Sequence, residues 1–381
     1  MYRSGSRISR ALPNVLLPKK GLGLVTNRVT RNVVYRSLTR IAALLCWVWA
    51  APLVSQTPHI GLVADVDLPV EIHSAADVRW SSDTTVVVAD RHKGAVELGI
   101  SPEHDGMRVL LPASLGPDKP GVWLTSKLSI SDQYLAVGSE LYQVAWLDRK
   151  GTSEVQMRRI EAPLDLDILQ DQVLIMGLQR DRSGGFAADG AVAWLGSITD
   201  DLVHLKPVHY AASGKDAVAF DHCFPLQVGS VRFHPDGSFL IIPGAEPGAF
   251  YYSAEGKLLQ TWDTDSLRIY TRCDLTAEQV TRLSAELEAR STWLNLRTVV
   301  DDIVLVGDRF GLIVRQRIHG VTTWRLQILR PDGGTDTVPL PVTSPLPGAR
   351  ARGDSRSGKI VLLITDFFSP GGRSLENLPA W

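Results

Sequence analysis

The chain is poor in cysteine, asparagine and methionine, and its first forty residues hold no acidic side chain. Three cysteines in 381 residues exclude a disulfide-dense scaffold. No Cys-x2-Cys or His-x3-His spacing marks a zinc site. His222 and Cys223, with Asp221 beside them and His204 and His209 upstream, come nearest. Neighbouring residues of a strand point to opposite faces, so that group does not converge. No nucleophile elbow, phosphate-binding loop or dinucleotide fingerprint is present. The sequence therefore specifies no cofactor, metal or catalytic residue.

The missing acids at the N-terminus stand against nine basic residues: Arg3, Arg7, Arg10, Lys19, Lys20, Arg28, Arg31, Arg36 and Arg40. Fourteen apolar or small residues follow, Ile41 to Val54, and the first carboxylate is Asp65. A basic region, a short apolar core and then small residues is the layout of a secretory signal peptide. The run is shorter than the roughly 20 residues of a membrane span and is interrupted by Pro52. Residues 1–55 are therefore expected to be a signal peptide or N-terminal anchor, and 56–381 the folded domain, exported to the periplasm or outside the cell. The membrane enters only through an uncleaved N-terminal segment. Without the leader the domain keeps all 41 acidic residues but loses nine of the 40 basic ones. That balance argues against nucleic acid as a partner, because phosphate binding needs clustered Lys and Arg. Cys223 and Cys273 remain as an even pair in an oxidising compartment, either a disulfide or two buried thiols.

What is there is a repeat. Val78-Arg79-Trp80-Ser81-Ser82-Asp83 lies over Val231-Arg232-Phe233-His234-Pro235-Asp236 without a gap. Each is a short strand, a polar turn holding an Asp, and then an apolar strand. Such a unit buries its face only by stacking on copies of itself. The same turn and strand recur at Asp83, Asp132, Asp171, Asp236, Asp308 and Asp354, before Thr85–Ala89, Tyr134–Val137, Val173–Met176, Phe239–Ile242, Gly311–Val314 and Lys359–Ile364. The unit from Val231 runs on through Ala249–Ser253 and Leu258–Trp262, four short antiparallel strands of propeller-blade size. One helix is expected, at about 275–291. There Thr276 and Gln279 form a capping box, and Val280, Leu283 and Leu287 share a face.

With six such units, the chain resembles the exported six-bladed β-propellers of bacteria, the broad NHL-like and TolB-like group. The resemblance rests on the repeat over residues 60–381 and on no family-specific motif; a seven-bladed ring or a two-sheet sandwich remains open. It implies an all-β, six-bladed β-propeller with one inserted helix. In such a ring the first strands line a channel, which makes Asp77, Arg79, Asp165, Asp167, Arg232, Asp301, Asp302 and Arg352 the candidate ligand-binding residues. The other reading of the same set is inter-blade salt bridging. Gluconolactonase-like propellers use asparagine around a divalent ion, and the five asparagines here include three in the leader. Arg352-Gly353-Asp354 matches the integrin-binding tripeptide, but a turn accounts for it. The leading expectation is a non-catalytic propeller that binds a protein partner or small ligand at one rim. The alternatives are a hydrolase or lyase acting through carboxylates at the channel mouth, and a sensor or adhesion module held by its N-terminal helix.

Overall fold

The computed structural model describes residues 7–13, 60–68, 72, 74–100, 106–112, 125–139, 143–150, 155–159, 163–177, 191–199, 202, 204–210, 229–243, 248–269, 276–286, 289, 292–293, 296–346 and 348–366. After β1 (Arg7–Pro13) and β2 (Ile60–Asp67), the strands come in fours. Sheet I is β3 (Ala75–Trp80), β4 (Thr85–Asp90), β5 (Gly94–Gly99) and β6 (Met107–Pro112). Sheet II is β7 (Thr125–Ile130), β8 (Tyr134–Ser139), β9 (Gln143–Asp148) and β10 (Gln156–Arg159). Sheet III is β11 (Pro163–Leu169), β12 (Gln172–Gly177), β13 (Ala191–Ser197) and β14 (Lys206–Tyr210). Sheet IV is β15 (Ser230–Phe233), β16 (Phe239–Ile242), β17 (Ala249–Tyr252) and β18 (Leu258–Trp262). Sheet V is β19 (Val299–Val306), β20 (Arg309–Ile318), β21 (Val321–Leu329) and β22 (Thr335–Ser344). The last unit has only β23 (Ala349–Arg356) and β24 (Lys359–Asp366).

This is an all-β propeller with few helices. The inner strands β3, β7, β11, β15, β19 and β23 touch in that order, and β23 returns to β3. Six like units are not what the chain provides, however. Five sheets are continuous four-stranded meanders; the closing sheet is composite, in the order β2-β1-β24-β23. Residues before the first unit complete the ring. Residues 61–66 lie in the last sheet, but β1 stands between them and β24, with Ile8 opposite Val66 on one side and Leu363 on the other. A strand inside the basic leader was not expected. Its composition hid a short alternation, Arg7-Ile8-Ser9, before a register shift at Arg10/Ala11. Residues 14–59 lie outside the described residues.

The second strands are apolar because they are covered on both faces. Phe239, Leu240, Ile241 and Ile242 are all buried, which removes any reason for alternation. The core is divided accordingly into clusters that each bridge two neighbouring sheets. Tyr134 and Ala136 of sheet II meet Leu166 and Val173 of sheet III, for example, and Val78 and Val86 of sheet I meet Val361 and Leu363 of the closing sheet. Burying each such side chain contributes about 1.5–3 kcal/mol, so the sheets are held to one another mainly by these seams.

The polar turns close as expected in five units. In sheet IV the turn needs Gly237 at φ +90°, with its N–H donating to the His234 carbonyl at 2.9 Å. The sixth turn differs. Asp354 lies inside β23, and Ser357-Gly358, both at positive φ, make the turn. Helix α1 (Thr264–Leu267) was not foreseen, and α2 (Ala277–Ala285) is shorter than expected. The capping box of Thr276 and Gln279 is formed, but Glu286 is already extended. Its side chain pairs with Arg282 at 3.2 Å.

Because β1 supplies the hydrogen-bond partner of β24, deleting residues 1–13 is expected to lower the thermal midpoint by several degrees, as an edge left unpaired would. An unchanged midpoint by circular dichroism would show that β24 finds its partner elsewhere.

Candidate functional site: the central channel

All eight candidate residues lie on the inner strands, and the structure brings them together. They are buried to between 0 and 7% exposure, around an axis filled by two layers of side chains. One layer holds Asp77, Lys127, Asp165, Ser230, Asp302 and Arg352, one from each inner strand. The other lies two residues further along and holds Arg79, Ser129, Asp167, Arg232, Val304 and Asp354.

The carboxylates are there because of a backbone problem. An inner strand is the edge of its sheet, and its channel-side N–H groups are shut away from water, so each needs an acceptor. Carboxylates of one inner strand supply it to the next. Asp77 Oδ2 accepts from Leu128 N–H at 3.0 Å. Asp165 Oδ2 accepts from Val231 N–H at 3.0 Å, and Asp167 Oδ2 from Phe233 N–H at 2.8 Å. Asp301 Oδ2 takes Ala351 N–H at 3.0 Å, and Asp302 Oδ2 takes Gly353 N–H at 2.9 Å. Asp354 Oδ2 takes Trp80 N–H at 2.9 Å, which carries the chain of contacts back to the first sheet. Between sheets II and III, Ser129 Oγ accepts from Ile168 N–H at 2.9 Å in the same role. The β15–β19 boundary is different. Among the described residues no side chain of β15 accepts from a β19 backbone N–H, and Ser230 Oγ instead donates to Asp302 Oδ1 at 3.1 Å.

The cations neutralise these acids. Arg79 reaches Asp77 at 2.8 Å, Asp302 at 3.3 Å and the Gly353 carbonyl at 3.0 Å. Arg232 pairs with Asp354 and lies 3.6 Å from Asp167. Arg315 lies 3.2 Å from Asp301, whose other oxygen accepts from Trp324 Nε1 at 2.8 Å. Arg352 Nη1 donates to the Asp301 carbonyl at 2.7 Å. Burial pushes Asp77 up to about 6, Arg79 pulling against it and Asp302 adding to it. Burial also works against ionised Asp302, but Arg79 and Arg352 outweigh it and hold that carboxyl down to about 2. Burial raises Asp167 despite Arg232. Lys127 has no hydrogen-bond or ion-pair partner among the described residues. Burial, with Arg352, brings its ammonium down to about 8.

So the candidate residues act first as latches between sheets. Sequence reasoning missed Lys127, Ser129, Ser230 and Arg315, and read Asp354 as a turn. The buried Arg352 and Asp354, at 6 and 8% exposure, do not offer an adhesion tripeptide to a partner. His209 is also spoken for, with Nδ1 2.6 Å from the Tyr252 hydroxyl. Cys223 and Cys273 lie outside the described residues, as do Asp221 and His222. No helix among the described residues is long and apolar enough to cross a membrane.

No protein-family model matches this chain, and no curated protein is similar to it. Solved structures resemble it only weakly. The WD40 β-propeller domain of Doa1 is 11% identical at a TM-score of 0.40, covering 79% of this chain and 95% of its own. A member of the DUF4221 family from Bacteroides vulgatus is 9% identical at 0.46, covering 77 and 93%. A chain of the mitotic checkpoint complex is 10% identical at 0.41, covering 81% of each. At these scores none bears on function, and the propeller assignment rests on the strand pairing described above.

Removing one latch should be costly, because it leaves a buried partner without its countercharge. Asp302→Ala is expected to cost about 3–5 kcal/mol in urea unfolding. The same group should shape the acid limb. Its folded pKa lies below the unfolded value of 3.8, so its stabilisation is fully present above about pH 4 and is lost as pH falls towards 2. Asp302→Asn should flatten that part of the stability–pH curve; an unaltered curve would assign the acid sensitivity to other groups.

Proposed function

We propose that the protein is a non-catalytic β-propeller that binds a protein partner on one face of the ring, with the composite sheet, β1 included, serving as its sixth blade. The observation that carries this reading is the commitment of the channel carboxylates to inter-sheet latches. A hydrolase or lyase at the channel mouth needs carboxylates free to meet substrate, and six of these acids already accept from backbone N–H groups. The basic leader and the apolar run at 41–54 favour export, but export through that run would part β1 from β24, so an exported chain would have to close its ring without β1.

The topology favours one face. In an antiparallel meander the first-to-second and third-to-fourth turns lie on one face. The second-to-third turns and the crossovers to the next sheet lie on the other. The first face carries tight connections such as 170–171, 307–308 and 357–358. The strand ends joined by the long ones, after β6, β12, β14 and β18, lie on the second. Long loops on a rigid scaffold are where binding residues concentrate. The last of them bears α2 and Leu296, an apolar side chain 76% exposed.

The test is photo-crosslinking in the producing cells, with benzoylphenylalanine at 296 on the loop-bearing face or at 150 on the opposite one. A discrete protein adduct from position 296 and none from 150 is the expected result. Equal labelling from both, or none from either, would defeat the assignment of that face. N-terminal sequencing of the recovered protein tests export; cleavage between residues 50 and 55 would part β1 from β2.

A further inference from the structure

The β20–β21 hairpin of sheet V is built unlike its counterparts. In sheets I to IV the second and third strands run four to seven residues. Here they run ten and nine. The inner strand β19 begins its pairing with Val299 opposite Arg315. Residues 316–318 and 321–323 pair with one another beyond that point, so the hairpin continues about 10 Å past the inner strand. Its turn is His319-Gly320, both at positive φ. As a second-to-third turn it lies on the loop-bearing face.

The end of this hairpin is apolar where a solvated turn is ordinarily polar. Ile318 and Val321, paired across it, are 45 and 38% exposed. Leu346, in the β22–β23 turn, is 43% exposed. Arg317 holds that turn, with Nη1 donating to the Leu346 carbonyl at 3.0 Å and Nη2 to the Pro345 carbonyl at 3.2 Å. Adjacent strand residues point to opposite faces, so Leu346 flanks the hairpin on the side away from Ile318 and Val321. The tip is thus a wedge with aliphatic side chains on both sides.

Charge is distributed as unevenly. Residues 315–325 and 343–352 hold five arginines and no acid, in a domain whose acids outnumber its bases. Arg317 and Arg325 have neutral partners here. Arg317 also donates to Thr322 Oγ1 at 2.9 Å, and Arg325 to Gln316 Oε1 at 3.3 Å and the Arg268 carbonyl at 2.9 Å. Neither makes an ion pair among the described residues.

Protein interfaces favour Trp and Tyr at their centres, with Leu and Val under-represented, and cover an anchor within a pocket. A bilayer interface takes aliphatic side chains from every side of a wedge, and its anionic headgroups attract cations beside them. An acid-free, arginine-backed aliphatic wedge fits the second. We propose that the β20–β21 hairpin is a membrane-docking tip. Ile318, Val321 and Leu346 enter the interface of an anionic bilayer, and Arg317 and Arg325 face its phosphates. The proposal goes beyond the partner-binding reading and does not rest on it; it turns the loop-bearing face towards the membrane.

The experiment is hydrogen exchange by mass spectrometry on the full chain, alone and with two kinds of vesicle: phosphatidylcholine mixed with phosphatidylglycerol, and phosphatidylcholine only. Peptides over 316–323 should exchange several-fold more slowly on the anionic vesicles. Those over the opposite-face turns at 307–308 and 357–358 should not change. The basic leader can hold the chain on such vesicles by itself, so the location of the protection is the readout. Combined Ile318→Ser and Val321→Ser, at exposed positions where substitution costs little stability, should abolish protection of 316–323 and leave any protection of the leader. The wild-type comparison stands whether or not that variant folds. Protection confined to the leader, equal protection of 316–323 on neutral vesicles, or protection that survives in the folded double variant each overturns the proposal. A protein adduct from benzoylphenylalanine at 319, with no protection on vesicles, would assign the tip to a protein partner instead.

Discussion

The structure depends on the need to satisfy the backbone of its innermost strands. A sheet in a ring has one edge at the periphery, open to water, and one at the axis, which is not. Charged side chains on an axial edge would ordinarily be a burden, since desolvating a carboxylate costs several kcal/mol before any partner is found. Here the carboxylates are the partners, each joining its own strand to the next one's N–H groups. The arginines then follow from the acids, because so many buried negative charges can persist only with countercharges between them. Arg79 illustrates the point: it reaches Asp77 on its own strand, Asp302 on β19 and the Gly353 carbonyl on β23.

The apolar seams and the polar axis divide the labour. Side chains such as Val86 and Leu363 supply most of the burial between neighbouring sheets. The axial hydrogen bonds are directional, and they fix how far one sheet slides against the next. This division also explains the opposite behaviour of two nearby acids. Asp302 lies where two guanidiniums outweigh burial, and Asp77 where burial and Asp302 outweigh Arg79.

Much of this was legible in residue spacing. Asp77, Asp165, Ser230 and Asp302 each precede the turn Asp of their unit by six residues, at Asp83, Asp171, Asp236 and Asp308. Lys127 precedes Asp132 by five. The acids stood out because charge on an apolar strand is conspicuous. Ser129 and Ser230 did not, because a hydroxyl there looks like ordinary strand polarity. Asp354 was misread because Ser357-Gly358 turns the chain without an acid, so the repeat pattern fell on the wrong residue. The composite sheet was the least legible part. Its β1 is a short alternation within a run of basic residues, and the pairing of Ile8 with Leu363 joins positions far apart in the chain, which no local signal reports. The helix was legible at its start, where the capping box is a local motif, and illegible at its end.

The boundary between β15 and β19 has a mechanical meaning. Among the described residues every other pair of neighbouring inner strands is stitched by a side-chain acceptor on a backbone N–H, and this one relies on Ser230, on His234 Nε2 against the Asp308 carbonyl at 3.1 Å, and on the apolar contacts of Leu240, Leu267, Ile269 and Val300. It is also where the longest connection between two sheets, 263–298, lies. A ring latched through backbone N–H groups at five joints and without such a latch at the sixth has a preferred place to part. Under strain, whether heat, denaturant or a pulling force, the propeller should open there first, swinging on the remaining joints like a clasp.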